Sequence, residues 1–386
     1  MDCLRGDFMA NLISKKLKYI NKNGEEKEIN LYDDFTSFKD YDNGNYIAVQ
    51  TDEGIGYIYC NSELQEGTAN HFASFIDKNN NLRYAYTEEK FISTLTYTFT
   101  TGYDVMPVIN GAAYSSKYKD KINDDGTTTR TLLSDELITQ ISFYKGTNKK
   151  YLLSFDKFSN IKLTTCNKMF SGCSGLKSVN LSGVDTSNIT DMYYMFEACS
   201  SLTSIDVSDF DTSNVTNIYG MFYNCKNLTS LNLSNWNTSK ITTMEYMFYG
   251  CQNLTSLNLS NWNTSKVTRM NSMFLGCTKL TSLYVSNFDT SNVTNIYGMF
   301  YNCKNLTSLN LSNWNTSKIT SMGYAFGGCS SLTSLDIRNF SSIKLTNCAN
   351  MLSSINSDCK IYVNKSKFTK TESECGFSGS FTYVTS

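Results

Sequence analysis

The sequence has one proline, Pro107, and one histidine, His71, in 386 residues. It has no excess of either charge, since 34 Lys and Arg stand against 35 Asp and Glu, for a net charge of −1. Each scarcity excludes something. A near-neutral chain without a basic stripe lacks the electrostatic footprint of a nucleic-acid binder. No apolar run approaches the roughly 20 residues of a membrane span, so no membrane insertion is expected. A single histidine and no C-x-x-C spacing leave little for a metal centre. Met1 to Ile20 has neither the apolar core nor the small-residue cleavage site of a secretory leader, and no C-terminal anchor motif is visible. Met1 to Phe8 fits no pattern, which points to Met9 as the natural start.

Cysteine, by contrast, is abundant, and its placement is the most informative feature. Seven of the 13 cysteines fall 26 residues apart: Cys173, Cys199, Cys225, Cys251, Cys277, Cys303 and Cys329. Self-similarity at such a period is the mark of a solenoid. The other positions keep the same beat. Leu254, Leu257, Leu259, Trp262, Val267, Met270, Met273, Phe274 and Cys277 repeat Leu228, Leu231, Leu233, Trp236, Ile241, Met244, Met247, Phe248 and Cys251. Phe210 to Thr242 is identical to Phe288 to Thr320, three repeats later, so the array grew by copying.

Each copy divides into three parts. Thr255 to Ser260 alternates polar and apolar residues, the period of a half-buried strand. Asn261 to Lys266 is rich in Asn, Ser and Thr, which bend a chain through local hydrogen bonds. Met244, Met247, Phe248 and Cys251 stand at i, i+3, i+4 and i+7, one face of a short helix. A Gly or Asn precedes six of the seven cysteines, where such a helix would end in a left-handed residue. Stepping back by 26 from Val179 and Leu181 reaches Leu153 and Phe155, and stepping forward from Leu335 and Ile337 reaches Ile361 and Val363. The expectation is an α+β solenoid, a leucine-rich-repeat-like array of about nine parallel strands with short helices over 151–363. A C-terminal cap fills 364–386.

Residues 1–90 lack the repeat and carry three hairpin signals, around Asn23-Gly24, Asp52-Glu53-Gly54 and Asp77 to Asn81. They predict a small β-rich domain suited to attachment. Residues 91–150 connect it to the array and supply an N-terminal cap.

Equivalent side chains in a solenoid column lie about one strand spacing apart, roughly 4.8 Å, further than the roughly 3.8 Å between Cβ atoms in a disulfide. The column cysteines, with Cys166 and Cys348, are therefore expected as buried free thiols. Cys359 and Cys375, in the cap, are the one pair considered for a disulfide.

The repeat Leu-Thr-Ser-Leu-Asn-Leu-Ser-Asn-Trp-Asn-Thr-Ser-Lys, followed by Met-x-x-Met-Phe-x-x-Cys, resembles the BspA-like leucine-rich-repeat surface proteins over about 155–363. That resemblance implies a non-enzymatic array that adheres to host or matrix components, and it transfers no ligand site. The N-terminal hairpins resemble, more distantly, small modules in structural proteins of phages of gut bacteria.

Neither an enzyme nor a cofactor is expected, because the array offers Ser and Asn columns without a nucleophile motif. The expected function is a surface binding protein, an adhesin or a phage receptor-binding or decoration appendage. Its location would be a virion or a cell surface, and its partner a protein or glycan on a host or bacterial cell. The alternative is a structural virion or surface assembly protein whose array contacts its own copies or a particle, with the N-terminal domain engaging other subunits. Two faces compete as the site. The helix side carries Tyr193, Tyr194, Tyr219, Tyr223, Tyr246, Tyr249, Tyr297, Tyr301 and Tyr324 outside the Met, Phe and Cys columns, and tyrosine is enriched at interfaces. These rings either bind a partner or stack on one another. The strand face breaks its polar ladder at Asp206, Tyr284, Asp336 and Arg338.

Overall fold

A computed structural model describes residues 93–113, 118–134, 137–159 and 161–384, together with six strands between residues 17 and 87. The chain divides into two compact units, Met1–Ser93 and Thr94–Ser386. In the first, β1 (Leu17–Ile20), β2 (Glu26–Leu31), β3 (Tyr46–Thr51), β4 (Gly54–Tyr59), β5 (Phe72–Ile76) and β6 (Leu82–Thr87) pair antiparallel in sequence order. The three expected hairpins are β1–β2, β3–β4 and β5–β6, and β1 also pairs with β6, which closes a barrel. Closure removes the exposed strand edges that such a small sheet would otherwise present. Cys3, Met9, Cys60 and His71 lie outside the described residues.

The second unit opens with β7 (Ser93–Thr100), β8 (Met106–Ile109), β9 (Ala112–Ala113), β10 (Tyr118–Ile122), β11 (Thr127–Ser134) and β12 (Ile141–Thr147). β13 (Leu152–Ser159) and β14 (Ser178–Val179) lead into the repeats. β7 alternates Thr with Leu95, Tyr97 and Phe99, and those three are buried. β13 is the hinge between cap and array: one edge pairs antiparallel with β7, the other parallel with β14. Its register differs from the 26-residue expectation. Ser154 faces Ser178 and Phe155 faces Val179, a step of 24, and Leu152 with Phe155 points inward rather than Leu153. On its other edge the pairing with β7 is irregular on both sides of Ser154–Phe155.

Beyond it the chain is a β-solenoid of about eight turns, with a step of 26 that shortens to 20 only at the last pairing, Ile361 with Phe381. The strand side is less continuous than the single parallel sheet that alternation suggests. β15 (Ser256–Asn258) pairs with β16 (Ser282–Tyr284). β17 (Ser308–Asn310), β18 (Ser334–Asp336), β19 (Lys360–Val363) and β20 (Phe381–Tyr383) form a second parallel ladder. Between β14 and β15 the coils are held here by single bonds such as Thr229 N–H to Thr203 O, 3.0 Å. The unbroken ladder lies elsewhere. Bridges link Asp191, Asn217, Thr243, Arg269, Asn295, Ser321 and Asn347 without a gap, at the entrance to the segment read as a helix.

That segment is not helical, and the described residues contain no α-helix, so the α+β expectation is corrected to an all-β coil. In one copy, the N–H groups of Met244, Tyr246, Phe248 and Gly250 donate to Arg269, Asn271, Met273 and Leu275 O of the next coil, at 2.7–3.1 Å. The alternate N–H groups of Met247, Tyr249 and Cys251 turn back on Met244, Tyr246 and Phe248 O. A lone two-turn helix is marginal in water, whereas a neighbouring coil offers a carbonyl to every second N–H. Such a chain of tight turns needs a left-handed residue every fourth position. The residue before each column cysteine, glycine or asparagine except for Ala198, is one, as at Gly250 with φ +69°, and the column of Tyr246, φ +57°, is the other. The i, i+3, i+4, i+7 pattern identified the inward side chains correctly while the backbone follows another path.

Those side chains stack by coil. Phe143 of β12 starts a file of parallel rings through Phe170, Phe196, Phe222, Phe248, Phe274, Phe300 and Phe326, with centroids 5.5–5.9 Å apart. All cysteines among the described residues are reduced and buried. The column thiols from Cys199 to Cys329 each donate to the phenylalanine carbonyl of the preceding coil, as Cys251 Sγ does to Phe222 O at 3.1 Å. Cysteine suits this column because it is small, apolar and carries one weak donor. In the cap, the thiol partner of Cys375 is Cys348, not Cys359, and no disulfide forms. The last rung is closed by Glu372, whose carboxylate accepts the Phe381 N–H at 3.0 Å.

Two outcomes follow. Phe248→Ala removes a ring stacked on both sides and should cost about 3–5 kcal/mol in denaturant unfolding; a loss near zero would contradict the ring file. Burial pushes the Cys251 thiol up to about 12, so the unfolded chain ionises first as pH rises. Stability contributed by this neutral thiol is full below about 9, the unfolded value, and is lost as pH approaches 12. The melting temperature should therefore fall above pH 9, and less steeply in Cys251→Ala; equal slopes would refute the assignment.

Candidate functional site

The strand face is largely committed to its own turns. Asn258 Oδ1 accepts the Ser260 N–H at 3.1 Å and the Ser260 hydroxyl at 2.8 Å, and Asn180, Asn232 and Asn310 repeat the arrangement. Asp206 fills the same role with Ser208, and those two hydrogen bonds hold its carboxyl below the usual range. Asp336 takes the Arg338 backbone N–H at 3.1 Å and its guanidinium at 2.8 Å. Of the four strand-face candidates, Tyr284 alone replaces the turn-forming residue, and it is 63% exposed. A hollow of about 90 Å³ lies beside Asp206, between Asn180, Leu181, Asp209 and Phe210. The strand candidates thus stand on three separate coils, with only Asp336 and Arg338 together.

The turn face brings its candidates together. Its backbone is saturated by the bonds between coils, so the outward side chains stand on a rigid support. The rings of Tyr193, Tyr194, Tyr219, Tyr223, Tyr246 and Tyr249 make one continuous cluster over three coils. Tyr193 stacks on Tyr219 at 5.2 Å and Tyr223 on Tyr249 at 4.5 Å. Tyr194 meets Tyr219 and Tyr223 edge-on at 5.3 and 5.8 Å, and Tyr219 reaches Tyr246 at 5.3 Å. All six are half-buried. Partial burial, the leading cause, raises the phenols of Tyr194, Tyr219 and Tyr223 above their ordinary value. Tyr297, Tyr301 and Tyr324 form a separate, smaller cluster. The coil between carries Asn271, Ser272 and Leu275 in the same three columns. The two readings of the tyrosines therefore hold together: the rings pack on one another and still present their outer edges.

Charged groups that sequence reasoning missed flank the large cluster. At its N-terminal end Lys168 Nζ lies 4.7 Å from the Tyr144 ring centre and 5.5 Å from that of Tyr193. Lys149 Nζ lies 4.1 Å from the same Tyr144 ring. At the other end the buried Glu245 pairs with Arg269 at 3.5 Å. Lys168 was findable, since it stands 26 residues before Tyr194; Tyr144 and Lys149 lie outside the repeat and left no signal. Among the described residues no group of three or more His, Cys, Asp or Glu converges as metal ligands, and no helix is long and apolar enough to cross a membrane.

No curated protein and no solved structure matches the chain. The family described as "Mycoplasma protein of unknown function, DUF285" matches three overlapping segments, 140–255, 225–308 and 283–381, which together span the solenoid and nearly all of its C-terminal cap. The coils described above are that family's repeats, of about 26 residues, and the chain belongs to the DUF285 family.

Proposed function

We propose that this chain is a non-enzymatic surface binding protein that recognises its partner through the turn face of the solenoid. The observation that carries the reading is the continuous cluster of six half-exposed tyrosines on a backbone locked by bonds between coils. Tyrosine gives large contact area with few rotatable bonds, and stacking removes much of the remaining entropy cost before a partner arrives. The resemblance of the repeat to BspA-like leucine-rich-repeat surface proteins supports adhesion to a protein or glycan on a cell, from a cell surface or a virion. The six-stranded barrel is the proposed attachment module.

The structural alternative is an assembly protein whose array contacts its own copies or a particle, and one form of it, end-to-end joining of copies, is less well supported. Glu372 occupies the Phe381 N–H at the last rung. The edge strand β10 carries Lys119, Asp120 and Lys121, charges that discourage strand addition.

The test uses residues that other coils already hold in the same columns. Tyr219→Asn, Tyr246→Ser and Tyr249→Ser import the residues of Asn271, Ser272 and Ser353. The triple variant should unfold as the parent does in calorimetry and bind bacterial or host cells about tenfold more weakly or worse. Unchanged cell binding by a folded variant would move the site to the strand face around Tyr284.

A further inference from the structure

The Lys149 and Lys168 ammonium groups converge on one exposed aromatic ring, Tyr144, at 4.1 and 4.7 Å from its centre. Lys149 also donates to the Tyr144 carbonyl oxygen at 3.3 Å. Neither ammonium forms an ion pair with a carboxylate among the described residues. Glu197, on the following coil, is engaged by the Ser171 hydroxyl. The ring quadrupole offsets part of the repulsion between two like charges, and the remaining field favours an anion.

The backbone leaves room for one of these cations. A Cβ on Gly172 would lie 2.8 Å from Lys149 Cε and 2.9 Å from its Nζ. Left-handed geometry does not itself require glycine here, because Ala198, Asn224 and Asn302 occupy the same column at φ +56° to +60°. The bare Cα of Gly172 is where the lysine chain runs. Lys168 then lies between Tyr144 and Tyr193, the first ring of the tyrosine cluster.

We propose that Lys149 and Lys168 form the anchoring subsite for a carboxylate- or sulfate-bearing sugar whose glycan chain lies along the tyrosine cluster, a proposal that rests on reading the turn face as the binding surface. Pyranose rings present flat C–H faces to aromatic rings, and one sugar residue is close in length to one coil rise of about 4.8 Å. An extended peptide advances about 3.4 Å per residue and falls out of step with the coils. The cluster also has a direction. Its unpaired cations are at the Tyr144 end, whereas at the other the exposed Arg269 guanidinium is neutralised by the buried Glu245 carboxylate. An acidic glycan therefore enters with its charged residue at Lys149 and Lys168.

The experiment uses the full chain and titration calorimetry with sialyllactose, a heparin tetrasaccharide, lactose and a polyglutamate peptide. Binding of at least one acidic sugar, with lactose about tenfold weaker or worse, is expected. Lys149→Gln with Lys168→Gln should lose about the same factor, and so should Gly172→Asn, which displaces Lys149 using a residue the column already accepts. Lys149→Arg with Lys168→Arg should keep most of the affinity, which separates lost charge from lost fold. Equal binding of lactose, binding of polyglutamate in place of the sugars, no sugar binding at all, or intact affinity in the Gln variants would each overturn the proposal. If the tyrosine triple variant loses cell binding and the lysine variants do not, the turn face stands as the site and the acidic sugar falls.

Discussion

The structure depends on one hydrogen bond repeated: an N–H on the turn face donating to a carbonyl 25 residues later, in the next coil. Because every second residue makes it, the coils are fixed at one spacing along the side where a helix would have been self-contained. A helix satisfies its backbone internally and leaves its neighbours to side-chain packing. Here the backbone itself is the link, and each turn is stable only with a turn on either side. The left-handed residues at the columns of Tyr246 and Gly250 follow from it, since each reverses the chain to aim the next donor sideways.

Side chains reinforce the same step. Thr216, Thr242, Thr268, Thr294 and Thr320 each donate a hydroxyl to the threonine carbonyl 26 residues earlier. The indoles of Trp236, Trp262 and Trp314 reach back 29 residues to Val207, Leu233 and Val285 O, at 3.0–3.4 Å. The cysteine thiols use the same 29-residue offset. These bonds explain why the columns of Thr and Cys hold those residues rather than any apolar residue of the right size, whereas the Trp column also takes Phe210, Phe288 and Phe340. A buried donor in a column of identical neighbours needs an acceptor, and the preceding coil supplies one at a fixed distance. A slip of one residue would leave every such group unpaired, so register is specified redundantly.

What could be read from the sequence divides along these lines. The period, the inward residues, the reduced cysteines and the left-handed position before them were legible because side-chain burial is periodic whatever the backbone does. The helix was not ruled out in advance, because Met244, Met247, Phe248 and Cys251 satisfy helical spacing and tight-turn spacing alike. Gly220, Gly298 and Asn350 in the second left-handed column were the available clue. Leu153 was misplaced because the first coil is two residues short, and a period cannot show its own boundary defect. At the candidate site, the tyrosines were visible as exceptions to the columns. Tyr144 and Lys149 were not, because the cap joins the turn face through Phe143 N–H to Met169 O, a contact with no periodic trace.

The duplicated stretch separates what a coil is from what its neighbours make of it. Phe210 to Thr242 and Phe288 to Thr320 are identical, so Tyr219 and Tyr297 stand in the same local sequence and the same column. Tyr219 is half-buried, packed against Tyr193, Tyr194 and Tyr246. Tyr297 is 40% exposed and meets only Tyr324 among the described rings. Identical coils thus present different surfaces, and the difference comes from the coils on either side: Tyr193 and Tyr194 are replaced by Asn271 and Ser272 and Glu245 by Gly323, while Tyr246 is kept as Tyr324. Copying extended the scaffold without creating a second large cluster. Recognition in such an array is therefore a property of adjacent pairs of coils, and a substitution in a neighbouring coil alters a site as effectively as one within it.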